Sequence, residues 1–475
     1  MADRIDVLIV GAGSAGSVLA ERLSADPGCR VVVLETGPGL DDPAVAALTR
    51  DGTRLPIGPR SPVARHYDTL LTADPPRHFG LARGAVLGGS GAVNGGYFCR
   101  GLPADYDGWG VPGWGWREVA PHFAAVETDL DFPGPPHGTA GPVPVRRTRV
   151  FSAATEAFLA GADRAGLGWI DDLNGATEPG PAPTGVAAVP LNIVDGVRTG
   201  AGAAFLQPAL GRPNLAVHTG VRVLGIAWRG TRAVGVHTVG PDGPATVPAE
   251  RIVLCAGAIG TAHLLQLSGV GPAALLTALG IRVVADLPVG QYATDHPEWV
   301  LPVRWPATAG AAPLEAIAVT ADGIEIRSYT KGFGAMTGAA AGPADPPHLA
   351  VAVMRPAARV RVRPASADPW AAPVVEHRYD AVPEDLALLR RGLALAAEIA
   401  GEAIDPDEAV WSTAQHLAGT APMGTGAGAV LDERCRVRGV DGLWVVDGSV
   451  LPALPGRGPH ATIVAAAHRA AEFIA

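Results

Sequence analysis

The chain has 475 residues, 48% of them hydrophobic, and a net charge of −9 at pH 7. That is material for two or three domains with large cores, which excludes global disorder, and the mildly acidic balance speaks against a nucleic-acid partner. The four cysteines, Cys29, Cys99, Cys255 and Cys435, stand far apart without a CxxC pair, so they are expected to be reduced and mostly buried, and no metal site is expected.

In chain order, Ile5 to Val10 reads as an apolar strand. Gly11-Ala12-Gly13-Ser14-Ala15-Gly16 then forms a glycine turn opening a helix, and Val31 to Leu34 is a second strand ending in Glu35 and Thr36. In such a βαβ unit one glycine permits the tight turn, one lets the backbone approach a pyrophosphate, and one lets helix and strand pack closely. The helix start offers free N–H groups to phosphate. Glu35, 19 residues beyond Gly16, is placed to accept from a ribose hydroxyl. A strand committed to a nucleotide cannot also be a cleaved leader, and no apolar run approaches the ~18 residues that span a bilayer. The expectation is a soluble cytoplasmic protein, with peripheral contact at the inner face of the plasma membrane left open.

Residues 40–80, with six prolines, read as loop-rich, and 83–101 as a glycine-dense segment. Trp116 to Val126 reads as a short helix, and Trp109, Trp114 and Trp116 as core packing. The Pro/Gly-rich stretch 132–144 looks like a crossing between domains. Strands are predicted at Leu215–His218, Val221–Trp228, Ala233–Val239 and Arg251–Ala256, with a helix from Gly257 to Leu267. Beyond these, runs at 300–305, 314–320, 323–330, 348–354, 358–363 and 373–379 alternate their faces with no helix between them, the pattern of an antiparallel sheet. An amphipathic helix follows Pro383, with Leu386, Leu389, Leu393 and Ala397 on one face. A last apolar strand ends at Asp447-Gly448.

The segment Arg83-Gly84-Ala85-Val86-Leu87-Gly88-Gly89-Ser90-Gly91-Ala92-Val93-Asn94-Gly95-Gly96 closely resembles the first signature of the glucose–methanol–choline (GMC) oxidoreductase family. The resemblance continues through Asp105-Tyr106-Asp107 with Trp109, Arg212-Pro213-Asn214-Leu215, Ala256-Gly257-Ala258-Ile259 with Ser268-Gly269-Val270-Gly271-Pro272, Asp295-His296-Pro297, and Arg359 to Tyr379. It ends in His416-Leu417-Ala418-Gly419-Thr420 and Pro459-His460-Ala461-Thr462, and so covers nearly the whole chain in the family's order.

The resemblance implies an α/β fold. An FAD-binding Rossmann-like domain of the glutathione-reductase type (1–108, 195–292 and 430–475) would be interleaved with an antiparallel-sheet α+β substrate domain (109–194 and 293–429). It implies FAD held by Gly11, Gly13, Ser14, Ala15, Gly16, Glu35 and Thr36 of the opening unit. Arg83, Leu87, Gly89, Ser90, Asn94, Gly95 and Gly96 of the signature would contribute, as would Val223, Ala256 and Gly257. The C-terminal contribution would come from Asp447, Gly448, His460, Ala461 and Thr462. It implies catalysis by His416 and His460, which are 44 residues apart. His416 would handle the proton of a CH–OH group while hydride leaves carbon for the flavin, and His460 would hold the same oxygen. His296 reads as a structural hydrogen-bonding group beside Pro297.

Departures from the family pattern carry their own expectations. Val93 stands where some members carry a histidine that links the flavin covalently, so FAD is expected to be dissociable. Ala262 replaces a usual proline, and Ser90-Gly91 replaces a pair of small polar residues. The chain is short for the family, which implies an open substrate pocket.

Three stretches, Gly95 to Arg100, Pro190 to Gly196 and Asp295 to Val300, resemble the GMC flavoproteins of the mycofactocin systems of actinobacteria. This implies oxidation of mycofactocinol, a peptide-derived redox cofactor, with electrons passed to an external acceptor or the respiratory chain. Two alternatives stay open. One is a dehydrogenase or oxidase of a small alcohol, either an aryl alcohol or choline, with Glu298 and tryptophans caging the ammonium. The other is a non-redox lyase that cleaves cyanohydrins.

Overall fold

The computed structural model describes residues 4–339, 345–402 and 409–475. Its centre is a five-stranded parallel sheet in the order Leu215–His218, Val31–Leu34, Val7–Val10, Arg251–Leu254, Leu443–Val445. The three central strands, VVVL, VLIV and RIVL, are almost wholly buried. Uninterrupted β-branched runs suit strands covered on both faces. Helix Ser14–Leu23 packs against the C-terminal helix His460–Ile474, so the two ends of the chain meet on one layer. An antiparallel ribbon of three strands, Arg222–Arg229, Arg232–Gly240 and Gly243–Pro248, lies beside it.

A second layer is a six-stranded antiparallel sheet in the order Val410–Thr413, Pro297–Pro302, His348–Val353, Ile324–Tyr329, Leu314–Val319, Gly185–Ala188. Helices Pro383–Ala400 and Ala153–Arg164 cover one face. Leu389, Leu393, Ala396 and Ile399 of the longer helix bury there, so the apolar stripe turns slightly from the predicted one, leaving Leu386 and Ala397 half-buried.

Two sequence expectations shift. The end of the stretch 40–80, expected to be loop-rich, forms with the residues that follow it a hairpin of Ala64–Ala73 and Pro76–Gly84. Its outer half is polar and exposed, so it lacks the alternating apolar signal that marks a strand. The runs at 358–363 and 373–379 are strands, at Arg361–Arg363 and Val374–Glu376, but they leave the large sheet. Val374–Glu376 pairs in parallel with the hairpin, Val375 opposite Thr69. This four-stranded sheet therefore joins segments that the sequence reading assigns to different domains. All four cysteines are free and buried. Among the described residues no helix is long and apolar enough to cross a membrane.

Candidate active site

A cavity of about 460 Å³ opens past the C-terminal ends of the parallel strands, the place where open α/β sheets bind ligands. Gly11 has φ +100°, and a Cβ there would lie 2.5 Å from the Cys255 carbonyl oxygen; a Cβ on Gly16 would lie 2.0 Å from the Gly11 carbonyl oxygen. These two positions need glycine for close packing. Gly13 meets nothing nearer than 3.8 Å, and Gly257, at φ +77°, meets nothing within 4 Å. Their open sides leave room for a ligand against the backbone.

Gly11, Gly13, Ser14, Ala15, Glu35 and Thr36 line the cavity, as do Arg83, Gly89, Ser90, Asn94 and Gly95. Val223, Ala256, Gly257, Asp447, Gly448, His416 and His460 complete the predicted residues found there. Buried Glu35 accepts from Ala12 N at 2.8 Å on Oε2 and from Gly37 N at 2.8 Å on Oε1. Each carboxylate oxygen keeps a second lone pair for a ribose hydroxyl. Burial raises the Glu35 pKa, against the pull of those backbone bonds.

Asp447 is turned inward. It accepts from Gly257 N at 2.9 Å, Thr261 Oγ1 at 2.6 Å and Ser449 N at 2.7 Å. It therefore ties the last strand to helix Gly257–Leu267, and its side chain serves the frame. Ser90 Oγ likewise accepts from Gly84 N at 3.1 Å.

Five predicted residues stand behind the wall. Gly16 packs helix on turn, and Leu87 is buried in the core. Gly96, at φ +76°, donates its N–H to Asn94 Oδ1 at 2.9 Å. Ala461 is fully buried, and Thr462 Oγ1 pairs with the Tyr106 hydroxyl at 2.9 Å.

The two histidines occupy different parts of the wall. A Cβ on Gly458 would lie 3.2 Å from His416 Nε2 and 3.0 Å from the Tyr97 ring, so His416 and Tyr97 flank that glycine. His460 opens the last helix. Its Nδ1 lies 3.3 Å from Asn94 Nδ2, a Cβ on Gly91 would lie 2.6 Å from its Nε2, and Phe98 meets its ring edge-on. His460 Nε2 is buried with no hydrogen-bond partner.

Below His416, buried Asp295 acts as a hub. Its Oδ1 accepts from His296 N at 2.9 Å and His416 N at 2.7 Å. Its Oδ2 accepts from His377 Nε2 at 3.0 Å and Thr413 Oγ1 at 2.7 Å. The ring of His416 meets His296, Nδ1 to Nδ1, at 2.9 Å. Burial, with the nearby Arg327 cation, holds the His416 pKa well below the usual imidazole range; burial alone lowers His460 to about 4. Both rings are neutral near pH 7.

Several lining residues escape sequence reasoning. Tyr97 and Arg327 stand near His416, while Tyr329, with Arg65, Tyr67 and Arg222 from the hairpin and the ribbon, lines the same cavity. Arg222 also lies over Trp370, 4.5 Å from the ring centroid. Arg327 Nη1 donates to Glu298 Oε2 at 2.8 Å, Arg327 Nε to Glu325 Oε1 at 2.7 Å, and the Tyr97 hydroxyl to Glu325 Oε2 at 2.9 Å. No local motif marks these residues, because strand pairing alone brings them together. Elsewhere Glu127, Asp129 and His137 cluster closely enough to ligate an ion. Arg100 on Glu127 and Arg147 on Asp129 already neutralise them.

A nucleotide-type parallel sheet and an antiparallel layer share one cavity whose wall includes the half-buried His416, an arrangement that flavoprotein oxidoreductases share. Residues 5–298 match the N-terminal model of the GMC oxidoreductases and 356–467 the C-terminal model; the chain belongs to the GMC oxidoreductase family. It is an FAD-dependent enzyme acting on alcohol-type substrates. It is 39% identical over 498 residues to an uncharacterized GMC-type oxidoreductase of Rhodococcus erythropolis, covering 100% of this chain and 99% of that one. It is 33% identical over 552 residues to the oxygen-dependent choline dehydrogenase of Pseudomonas aeruginosa, covering 100% and 95%. Its fold is similar to that of pyridoxine 4-oxidase from Mesorbium loti, with TM-score 0.86, 28% identity and 99% of each chain covered.

The residues fit the cofactor. The glycine turn leaves a cradle that a side chain at Gly257 would fill, and Arg83 Nη2 and His460 Nε2 are buried polar atoms on the wall without partners. Polar atoms so placed are costly unless a ligand meets them.

Proposed function

We propose that the enzyme oxidises a CH–OH group with His416 as the proton-handling residue, and that its substrate is mycofactocinol, taken to mycofactocinone. The observation that carries the reading is the neutral His416 ring, its Nε2 beside Gly458, on the wall of the cavity that the nucleotide-binding glycines also line. A neutral imidazole there accepts the hydroxyl proton at Nε2. FAD, when bound, supplies the two-electron acceptor for the hydrogen that leaves the substrate carbon as hydride. His460, fixed by Asn94 and the glycine segment, offers a second nitrogen to a bound ligand atom, including the alcohol oxygen. Electrons then pass to an external acceptor or the respiratory chain, which makes the enzyme a dehydrogenase.

The mycofactocin reading gains support from where its three sequence stretches lie. Phe98 N donates to Pro190 O at 2.8 Å, Asn192 N donates to Gly96 O at 2.8 Å, and Tyr97 bridges with Leu191. Tyr97 then connects through Glu325 and Arg327 to Glu298 of the third stretch. The three stretches are thus hydrogen-bonded into one unit next to His416, from which Gly95 and Tyr97 reach the cavity.

A small aryl alcohol is the second reading, favoured by the rings of Tyr97 and Tyr329 among the residues that line the cavity. Choline stays open through the similarity to choline dehydrogenases, but the cage expected from Glu298 does not form, since Glu298 is bound to Arg327 and does not line the cavity.

The test is anaerobic bleaching of the flavin band by mycofactocinol, with benzyl alcohol and choline in parallel. Bleaching by mycofactocinol that is lost in His416→Ala is expected. Correctly folded, flavin-loaded enzyme that stays oxidised with mycofactocinol would overturn the substrate assignment, and silence with all three alcohols would favour the lyase reading. With Val93 beside Asn94, acid precipitation is expected to release all yellow colour into the supernatant; colour retained on the protein would refute non-covalent binding.

A further inference from the structure

We infer that His296 is the proton-sharing partner of His416, a positioning residue that sets the tautomer of the base and takes up its charge. The inference rests on the assignment of His416 as the base.

The two rings meet edge to face, with centroids 5.1 Å apart and planes at 88°. Between nitrogens 2.9 Å apart there is room for one hydrogen. If His416 Nδ1 carries it, His416 Nε2 presents a lone pair to the cavity. If His296 Nδ1 carries it, His416 Nε2 must bear a hydrogen and cannot accept the proton of an alcohol. The base role therefore requires His296 Nδ1 as the acceptor. Among the described residues, His296 is the one hydrogen-bond partner of the His416 ring. Both backbone N–H groups hang on the same Asp295 Oδ1, which locks the spacing of the pair.

The pairing also handles the charge. When His416 Nε2 takes one proton from the alcohol, its Nδ1 hydrogen can cross to His296 Nδ1. His416 is then neutral with its hydrogen on Nε2, and His296 holds two N–H bonds and the positive charge. One proton enters the pair and one moves within it. His416 faces the cations Arg327 and Arg83. Burial lowers the His296 pKa to about 4, with Arg327 acting in the same direction and Asp295, Glu325 and Asp105 pulling the other way. A charge passed one ring deeper is thus opposed by burial and drawn by three carboxylates.

The tautomer can be read without turnover. Enzyme loaded with FAD and labelled with 15N-histidine is expected to show His416, assigned by loss of its signals in His416→Gln, with Nδ1 protonated and Nε2 bare. A His416 ring protonated at Nε2 alone would overturn the inference. Kinetics supply the second arm, using anaerobic flavin reduction by mycofactocinol, or by benzyl alcohol if mycofactocinol is inert. His296→Leu keeps bulk but cannot accept, and is expected to slow reduction ~10²–10⁴-fold. His296→Gln accepts at Oε1 but cannot carry the proton onward, so its rate should lie between that of wild type and the leucine variant. Equal rates for the two variants, with flavin content intact, would reduce His296 to packing and overturn the inference. Reduction that survives in His416→Ala would instead sink the assignment of the base, which separates the two failures.

Discussion

Replacing Asp295 by asparagine tests whether the hub holds the segments that carry His296 and His416 in place. The carboxylate is fully buried and accepts four hydrogen bonds, at 2.7–3.0 Å. Asparagine keeps one carbonyl oxygen, enough for the N–H groups of His296 and His416, but it presents NH₂ to His377 and Thr413. Two bonds to a charged acceptor, about 1.5–3 kcal/mol each, are lost, or ~3–6 kcal/mol together. The Thr413 hydroxyl can turn to accept, recovering about 1 kcal/mol, which leaves a loss of ~2–5 kcal/mol. Burial alone would raise the Asp295 pKa, but the His377 hydrogen bond, the charges of His377 and Arg83, and Thr413 hold it below the usual value. The stability it contributes is therefore present above the unfolded carboxylate pKa and disappears as pH falls through the lower folded one. Urea unfolding followed by tryptophan fluorescence, with refolding checked, should show a lower midpoint for Asp295→Asn at pH 7 and a gap that narrows under acid. A variant within ~0.5 kcal/mol of wild type at pH 7 would refute the hub.

Gly16→Ala should cost flavin, since the added Cβ would sit 2.0 Å from the Gly11 carbonyl oxygen and overpacking costs ~1–3 kcal/mol; the 450 nm absorbance per protein should fall, while Gly168→Ala, with nothing within 4 Å, should match wild type. Arg327→Met leaves Glu298 and Glu325 buried without their cation and should destabilise by ~3–5 kcal/mol; adding Glu298→Gln should recover part of that in urea unfolding, and strict additivity would argue against coupling. His137 is raised to about 10: burial lowers it, but the hydrogen bonds it donates to Asp129, Asp172 and Glu127 outweigh burial. Its stabilisation is complete below the unfolded value of ~6.5 and fades as pH climbs toward the folded one. His137→Gln should flatten the alkaline decline in thermal stability between those limits, and an unchanged slope would refute the ion network.

The parallel sheet was legible because its strands bury both faces. VLIV and VVVL carry no polar residue to blur the signal, and the spacing of the glycines between them is a local pattern, although the contact that Gly11 answers to is the distant Cys255 carbonyl. Helix Pro383–Ala400 was legible for a related reason, since its apolar stripe is a local property. The hairpin Ala64–Ala73 and Pro76–Gly84 was not, because it buries little and owes its place to a partner about 300 residues away. The same limit explains Arg361–Arg363 and Val374–Glu376. Their alternation announced strands, but no single strand encodes which sheet it joins.

The active site divides along the same line. His416 and the glycine turns were read from blocks of adjacent residues. Glu298 was offered as a carboxylate for a cation, and the fold withdraws it through strand order. Strand His348–Val353 runs between Pro297–Pro302 and Ile324–Tyr329, placing Ala352 opposite both Glu298 and Glu325, and Ala350 opposite Arg327. Two alanines on the middle strand leave the space through which Arg327 reaches across to Glu298. Burial then raises the Glu298 pKa, opposed by Arg327, and the one guanidinium is shared between Glu298 and Glu325. A quaternary ammonium would find no free carboxylate there, and a substrate carboxylate would find the guanidinium engaged. Beside His416 stands the Tyr97 ring, and Tyr329, Pro313 and Leu314 line the same cavity, so the lining near the proposed base offers a phenol ring in place of a free charge.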